Sequence, residues 1–470
     1  MAETRGFLKY KRKDIGHKAV AERIHDFNEF NIPLTPDELV QQAARCMDCG
    51  VPFCHGIGCP LKNNIPDFND MIYQGQWQRA CQILHTTNNF PEITGRVCPA
   101  LCEAACTLGI NDEPVLIRHI ENQIVERGFA EGWIKPLIAE EKTGKKVAVI
   151  GSGPAGLAAA QQLARIGHSV VVYEKDDRPG GLVRYGIPNF KLDKGIIDRR
   201  IEQLLAEGID FEMGVEVGKD ISVSYLEKHF DCVCLAMGAG KPRDLEVAGR
   251  DSENVLFAMD FLSQQSRYNE NDIKAGDMIT AKGKSVVVIG GGDTGSDCVG
   301  TAIRQGAKEV YQFEILPKPP ESRPVETPWP MWPKIMRTST SHEEGCERRW
   351  SILTKELVAK GGKINELRGC EIEWINDGGN WKMKEVSGTE FSVKVDLVLI
   401  AMGFVHVVHE GLVKDLGVEL DGRGNIVVSN CQSSKCNIFA AGDTVSGASL
   451  VVRAIDSGRK AADAINAYLA

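Results

Sequence analysis

The chain has 470 residues and a formal net charge of −9, from 55 Lys and Arg against 64 Asp and Glu. The charges are spread without a long basic run, which argues against nucleic acid as a main partner, and no segment approaches the roughly 18 consecutive apolar residues of a membrane span. At this length a single core usually stops growing, so two or three domains are expected.

The start, Met1 to Asp14, carries Arg5, Lys9, Lys11, Arg12 and Lys13 but no apolar segment, so it is not expected to be a secretory signal. A cytoplasmic protein is expected, in which grouped cysteines more often mean metal or catalysis than disulfides. Residues 1–144 read as helical and irregular. Pro36 to Arg45 is predicted as a helix capped by Thr35, followed by helices from Asp67 to Tyr73 and from Trp77 to Leu84. Eight of the 15 cysteines lie before residue 107. The polar run Glu140 to Gly144 reads as a linker.

From Lys145 the texture changes to short β-branched strands and Ala/Gly-rich helices, the pattern of doubly wound α/β architecture. A strand at 146–150 leads through Gly151, Gly153, Pro154, Ala155 and Gly156 into a helix near 154–166. Gly167 and a strand at 169–173, ending on Glu174, follow. The plan repeats: a strand at 285–289, then Gly290, Gly291, Gly292, Asp293, Thr294 and Gly295, a helix near 295–305, Gly306 and a strand at 309–313. The three glycines of each fingerprint permit a tight turn and a close approach of a helix start to a pyrophosphate. Two fingerprints, both in strand context, predict two nucleotide sites. Apolar runs at Cys232–Met237 and Val395–Met402, each ending in Met-Gly, read as closing strands of the two units. The tail reads as a strand near 437–441, a glycine turn and a long terminal helix from about Ala448 to Tyr468. The expected division along the chain is 1–144, 145–254, 255–403 and 404–470.

Cys46, Cys49, Cys54 and Cys59 are spaced C-x2-C-x4-C-x4-C with Pro60 next, and Cys98, Cys102 and Cys106 are spaced C-x3-C-x3-C with Pro99 after the first. Thiolates suit zinc or iron–sulfur. A zinc ribbon or two structural zinc sites is the plainer alternative. The spacing lacks the paired C-x2-C of most zinc ribbons, Cys-Pro is a ferredoxin-like feature, and two nucleotide sites downstream imply electron transfer, which zinc cannot perform. Cys81 is the eighth by count, but its helix is apolar and a core role is expected.

Several segments resemble the small (β) subunit family of bacterial glutamate synthase and the N-terminal half of dihydropyrimidine dehydrogenase. They are Arg45 to His55, Gly58-Cys59-Pro-Leu, Gly95-Arg-Val-Cys98-Pro, Pro179 to Pro188, Gly290 to Asp297 and Ala441 to Thr444, in the family's order along the whole chain. The resemblance implies an α/β fold of two Rossmann-like nucleotide-binding domains, of the adrenodoxin reductase and glutathione reductase kind, preceded by an α-helical iron–sulfur domain. It implies two 4Fe–4S clusters with interleaved ligands: Cys46, Cys49, Cys54 and Cys106 for one, Cys59, Cys98 and Cys102 for the other. A side-chain oxygen completes the second set in the family, a position that Glu121 matches here; a solvated helix residue is the plainer reading of that glutamate.

The resemblance also implies FAD at the first fingerprint. Glu174, 23 residues after Gly151, stands where an acid would bond the adenosine ribose. Gly181 and Leu182 would pass close to the cofactor, Gly442 and Asp443 would meet its ribitol and pyrophosphate, and the helix start at Ser449 and Leu450 would face its pyrimidine edge. The second fingerprint would take NADPH or NADH. Matching Gly290 to Gly151 places Phe313 opposite Glu174, with Glu314 one later, and Lys318 or Arg323 as the cation for a 2′-phosphate; NADPH is the expected cofactor, with NADH open. No catalytic acid–base residue is expected, because the cofactors carry the hydride and electron transfer. The implied function is electron input from NAD(P)H, through FAD and the clusters, to a large glutamate synthase subunit carrying FMN and an iron–sulfur cluster. A homologous electron-transfer subunit of a ferredoxin:NADP oxidoreductase or another flavin iron–sulfur reductase is the alternative. Complex stoichiometry and cluster potentials are not legible in the sequence.

Overall fold

In the computed structural model, residues 3–470 are described; Met1 and Ala2, the first residues of the cationic start, lie outside them. Two five-stranded, all-parallel sheets form the nucleotide units, and they have the same strand order. In the first, the order across the sheet is Ile438–Ala440, Cys232–Leu235, Lys146–Ile150, Ser169–Glu174 and Ile209–Met213. In the second it is Val255–Phe257, Leu397–Ile400, Ser285–Ile289, Glu309–Phe313 and Glu347–Arg349. The central strands are buried on both faces and are runs of Val, Ile, Ala, Cys and Leu, as a parallel sheet covered on both sides requires.

The predicted central strands match the observed ones. The helices after the fingerprints are Pro154–Ile166 and Asp293–Arg304, the second starting two residues earlier than its prediction. The terminal helix, Val451–Leu469, lies against Pro154–Ile166, and Gly458 permits the contact: a Cβ there would stand 2.1 Å from the Ala155 carbonyl oxygen. The second unit also carries an antiparallel sheet absent from the sequence reading. Its strands are Ile352–Lys360, Lys363–Asp377, Asn380–Glu385 and Phe391–Lys394.

The N-terminal region is built from short helices. Pro36–Ala44 begins with a full capping box, Thr35 with Glu38, worth about 1 kcal/mol. Ile65–Tyr73 starts earlier than predicted, because Pro66 is tolerated in the first turn, and Trp77–Thr87 runs three residues beyond Leu84. Pro91–Val97, Leu101–Ala104 and Ile117–Ala130 follow, and the short helices Gly6–Lys9 and Val20–Arg23 precede them all. The polar run at 140–144 does not divide the hydrophobic interior. One buried cluster runs from Leu39, Phe68 and Ile120 through Ala158 and Leu163 to Ile455 and Ile465. Polar contacts reinforce that junction: Arg200 grips Glu92 with Nε and Nη2, each at 2.7 Å, while Asn89 donates to Gln161 and accepts from Arg459, each at 2.7 Å. Among the described residues no helix is long and apolar enough to cross a membrane.

Candidate functional site

The seven array cysteines fall into two groups. Cys46, Cys49, Cys54 and Cys106 line one concavity together with Pro52, Ile65, Val115 and Ile117. Cys59, Cys98 and Cys102 form the other, near enough to Glu121 for its charge to act on all three thiols. The chain crosses between groups in one wide turn, Cys54–Gly58, closed by a bond from Cys59 N–H to the Cys54 carbonyl at 2.8 Å. Gly58 lets that turn meet the helix Leu101–Ala104, since a Cβ would come within 2.8 Å of both Cys102 Cα and Ala105 Cβ. The C-x4-C spacing therefore sends two neighbouring cysteines to different groups.

Burial pushes the Cys46 and Cys59 thiols up to about 12 and the Cys98 thiol up to about 11. Thiols this dry become thiolates only against a strongly cationic centre, which is the donor chemistry that suits an iron–sulfur cluster. Among the described residues no group of three or more His, Cys, Asp or Glu is arranged around a single ion.

Glu121 is buried on the helix Ile117–Ala130. Its Oε1 accepts from Asn63 Nδ2 at 3.2 Å, Asn88 Nδ2 at 2.6 Å and Thr94 Oγ1 at 2.9 Å. The other oxygen takes part in none of these bonds. Three donors thus fix the orientation of one carboxylate beside three thiols, although burial pushes its pKa up to about 7. Asn63, Asn88 and Thr94 gave no signal in the sequence; an amide or hydroxyl acquires this role only through the fold. Cys81 is placed elsewhere, with its Sγ 3.6 Å from His85 Nδ1 and close to where a Gly128 Cβ would stand.

At the first fingerprint Gly151 has φ +101°, and a Cβ would lie 2.5 Å from the Ala236 carbonyl oxygen. Gly156 is equally confined, a Cβ there standing 2.0 Å from the Gly151 oxygen. Gly153 differs: nothing lies within 4 Å of where its Cβ would be. This is an open cradle at the start of Pro154–Ile166, which has no side-chain cap, so its first N–H groups are free for an anion. The Gly180-Gly181-Leu182 turn closes one side, with Gly181 near Gly153 and Gly180 N–H donating to Ser152 Oγ at 3.0 Å. Ser152, a residue the sequence reading passed over, also donates from Oγ to Glu174 Oε2 at 2.6 Å, and its N–H donates to the same oxygen at 2.9 Å. Gly442 approaches Ala155, and the neighbouring Asp443 keeps a buried Oδ1 without a hydrogen-bond partner. Burial pushes Asp443 up to about 6. An unpaired buried carboxylate oxygen beside an open glycine cradle fits a polar cofactor such as FAD. Ser449 is exposed and Leu450 caps the terminal helix through its backbone alone. Thr444 ties this turn to the first unit, accepting from Gly238 N–H at 2.9 Å.

The second fingerprint repeats the geometry. Gly290 has φ +123° with the Ala401 oxygen 2.2 Å from a would-be Cβ, Gly295 is confined by the Gly290 oxygen at 2.3 Å, and Gly292 opens onto free space. Asp293 is exposed and Thr294 half-buried at the helix start. Behind the turn runs a polar chain: Ser296 to Ser339 at 2.6 Å, Ser339 to His342 Nδ1 at 3.1 Å, His342 Nε2 to Gln312 Oε1 at 2.8 Å, and Gln312 Nε2 to the Gly290 oxygen at 2.9 Å.

The structure corrects the register of the two units. Gly151 N–H donates to the Tyr173 oxygen and Gly290 N–H to the Phe313 oxygen, both at 2.8 Å, so Phe313 corresponds to Tyr173 and Glu314 to Glu174. The cause is a connection one residue longer. Gly167 is separated from Ser169–Glu174 by His168 alone, whereas Gly306 is separated from Glu309–Phe313 by Ala307 and Lys308. Phe313 is a core residue packed on Phe391. The two cations proposed for a 2′-phosphate are engaged elsewhere: Lys318 pairs with Glu321 at 3.0 Å, and Arg323 donates to the carbonyls of Thr327, Met331 and Ala104.

Comparison with known proteins agrees with these two parts. Residues 145–458 match the family model described as pyridine nucleotide-disulphide oxidoreductase, and residues 23–133 that of dihydropyrimidine dehydrogenase domain II, 4Fe-4S cluster. The glutamate synthase (NADPH) small chain of Mycobacterium tuberculosis is 50% identical over 475 residues, covering 100% of this chain and 96% of its own. The glutamate synthase (NADH) of Schizosaccharomyces pombe is 47% identical over 98% of this chain, which spans 22% of that longer protein. Among solved structures, Mycobacterium tuberculosis FprA in complex with NADPH aligns with a TM-score of 0.55 at 19% identity, over 69% of this chain and 84% of its own, a likeness of fold.

Proposed function

Because the chain belongs to the glutamate synthase small-chain family, we propose the following division of labour for its NAD(P)H-oxidising, FAD- and 4Fe–4S-containing electron-input role. Residues 1–144 hold the clusters, 145–254 with 404–470 hold FAD, and 255–403 receive the nicotinamide nucleotide. The observation that carries the reading is the presence, in one chain, of two cysteine groups and two open glycine cradles, the first cradle sharing one continuous core with the cysteine region. When bound, FAD would accept one hydride, carrying two electrons, and the clusters would carry single electrons, which matches a two-electron donor to a one-electron path.

The protein's own part is binding and orientation. Gly153 and the free N–H groups of Pro154–Ile166 receive a pyrophosphate, with Gly151, Ala155 and Gly156 shaping the turn. Glu174 is held by Ser152 and the Asp176 N–H, its carboxylate available to ribose hydroxyls at the strand end. Asp443 offers Oδ1, and the uncapped start of Val451–Leu469, at Ser449 and Leu450, presents N–H dipoles that favour negative charge on a reduced ring. Cys46, Cys49, Cys54 and Cys106 serve one cluster, and Cys59, Cys98, Cys102 and Glu121 the other, with Asn63, Asn88 and Thr94 holding the Glu121 carboxylate in place.

The electrons leave to a large glutamate synthase subunit bearing FMN and an iron–sulfur centre, where glutamine and 2-oxoglutarate become glutamate, in the cytoplasm. The test is reconstitution. Alone, the chain should pass electrons from NAD(P)H to artificial acceptors and make no glutamate. Combined with a large subunit isolated from the same cells, it should oxidise NAD(P)H only when both glutamine and 2-oxoglutarate are present. Oxidation that ignores both substrates in the assembled pair overturns this reading.

A further inference from the structure

We propose that Glu314 selects NADH over NADPH. This rests on the reading of the second fingerprint as the nicotinamide site and adds what that site discriminates.

Glu314 repeats the two backbone bonds of Glu174, without the Ser152 hydroxyl bond that Glu174 also accepts. Glu174 Oε2 accepts the Ser152 N–H at 2.9 Å, and Oε1 accepts the Asp176 N–H, two residues on, at 3.0 Å. Glu314 Oε2 accepts the Gly291 N–H at 2.6 Å, and Oε1 accepts the Leu316 N–H, again two residues on, at 2.9 Å. The backbone after each acid is also matched: the Glu174 carbonyl accepts from Val215 and the Glu314 carbonyl from Ile352. Each carboxylate is therefore pinned against the second residue of its glycine turn, at the end of the second strand of its unit. An acid there bonds the vicinal hydroxyls of an adenosine ribose, and its charge repels a 2′-phosphate.

NADPH would need a compensating cation. The candidates available in the sequence are bound elsewhere, Lys318 by Glu321 and Arg323 by three backbone carbonyls. Arg349, the last residue of the neighbouring strand Glu347–Arg349, holds Glu347 at 2.6 Å. Glu314 is half-buried, so its charge acts through less water than a fully exposed acid would.

The test uses the FAD- and cluster-loaded protein under anaerobic conditions and reads two quantities. One is bleaching of flavin absorbance by NADH and by NADPH; the other is direct binding of NAD+ and NADP+ by calorimetry, which needs no turnover. The wild-type protein should favour the unphosphorylated nucleotide by about tenfold or more in both. Glu314→Gln retains an oxygen for the Gly291 N–H while removing the charge, so a structural role alone would leave the NADH/NADPH ratio unchanged. Selection by charge predicts that the ratio falls by about tenfold, chiefly through tighter NADP+ binding, with FAD content unaltered. A wild-type preference for NADPH, or an unchanged ratio in Glu314→Gln, overturns the assignment and leaves the proposed function standing. If neither NADH nor NADPH bleaches the flavin, the proposed function itself is overturned.

Discussion

The junction between the cysteine-bearing region and the flavin unit rests on one fully buried ion pair, and its removal gives a quantitative test. Glu92 is 0% exposed and Arg200 1%, with two bonds of 2.7 Å between them. Arg200 also donates to Gln203 and lies 4.8 Å from the Phe129 ring centroid. Glu92→Ala removes both carboxylate oxygens and strands a guanidinium where water cannot reach. Leaving a buried charge unpaired costs about 3–5 kcal/mol. The loaded protein should be unfolded in urea while flavin fluorescence is followed, because release of FAD reports opening of the core that the two regions share. Glu92→Ala should release FAD at distinctly lower urea, whereas Lys382→Ala, which breaks an exposed pair with Asp377, should leave the midpoint in place. The paired change Glu92→Leu with Arg200→Met should recover most of the loss, since it leaves no orphan charge. A Glu92→Ala midpoint shift corresponding to less than about 1 kcal/mol would refute the argument that this pair is dry and holds the junction.

Three other outcomes follow from named geometry. Gly153 and Gly292 have ordinary negative φ and open space at their Cβ positions, so Gly153→Val and Gly292→Val should fold; the first should be purified with little FAD, and the second should keep FAD but lose about a hundredfold in reduction by nicotinamide nucleotide, a loss of about 3 kcal/mol. Cys81→Ser should retain about eight iron and eight labile sulfide per chain, while Glu121→Ala should alter the EPR signal of one cluster only. His342 is held neutral by its chain of bonds, and burial lowers it from the usual 6.5 to about 4. Its folded pKa lies below its unfolded one, so the unfolded chain takes up the proton first. Stability should therefore be complete above about pH 6.5 and decline as pH falls towards 4, and His342→Gln should flatten that decline in urea titrations at pH 7 and pH 5.

The parts of the fold legible in the sequence were those governed by local rules. Strands at Lys146–Ile150 and Ser285–Ile289 are β-branched runs ending at glycines whose backbone geometry excludes a side chain, so pattern and turn agree. Thr35 and Glu38, three residues apart in sequence, announce a helix start, and the structure has it there. The antiparallel sheet at 352–394 was missed because its outer strand, Asn380–Glu385, is exposed throughout and carries no alternation of burial to read. Glu92 and Arg200 were invisible as a pair because 108 residues separate them and each alone resembles a surface charge. Glu314 was read one place out of register, since counting from Gly290 cannot detect the added residue between Gly306 and the strand.

The two units share one topology but close differently, and on the proposed assignment this difference would let one retain its nucleotide while the other exchanges it. In the first sheet the edge strand Ile438–Ala440 is the last strand of that unit in sequence, and in the second the equivalent Val255–Phe257 is the first. Only in the first does the chain continue past that strand into a turn over the cradle, bringing Gly442 against Ala155 and Asp443 beside it, and then into Val451–Leu469 along Pro154–Ile166. The wall so formed supplies contacts from two segments more than 280 residues apart in sequence. The second cradle has no such wall from its own edge strand, which leads instead into the helix Ala258–Asn269, and Gly292 and Asp293 lie exposed at its mouth. A cofactor enclosed by a returning segment leaves only when that segment opens, a local unfolding event, whereas one lying on an open turn leaves at the rate its own contacts allow. On the proposed assignment, the order in which the edge strands are supplied would thus separate a resident FAD from a transient NAD(P)H on otherwise equivalent frames.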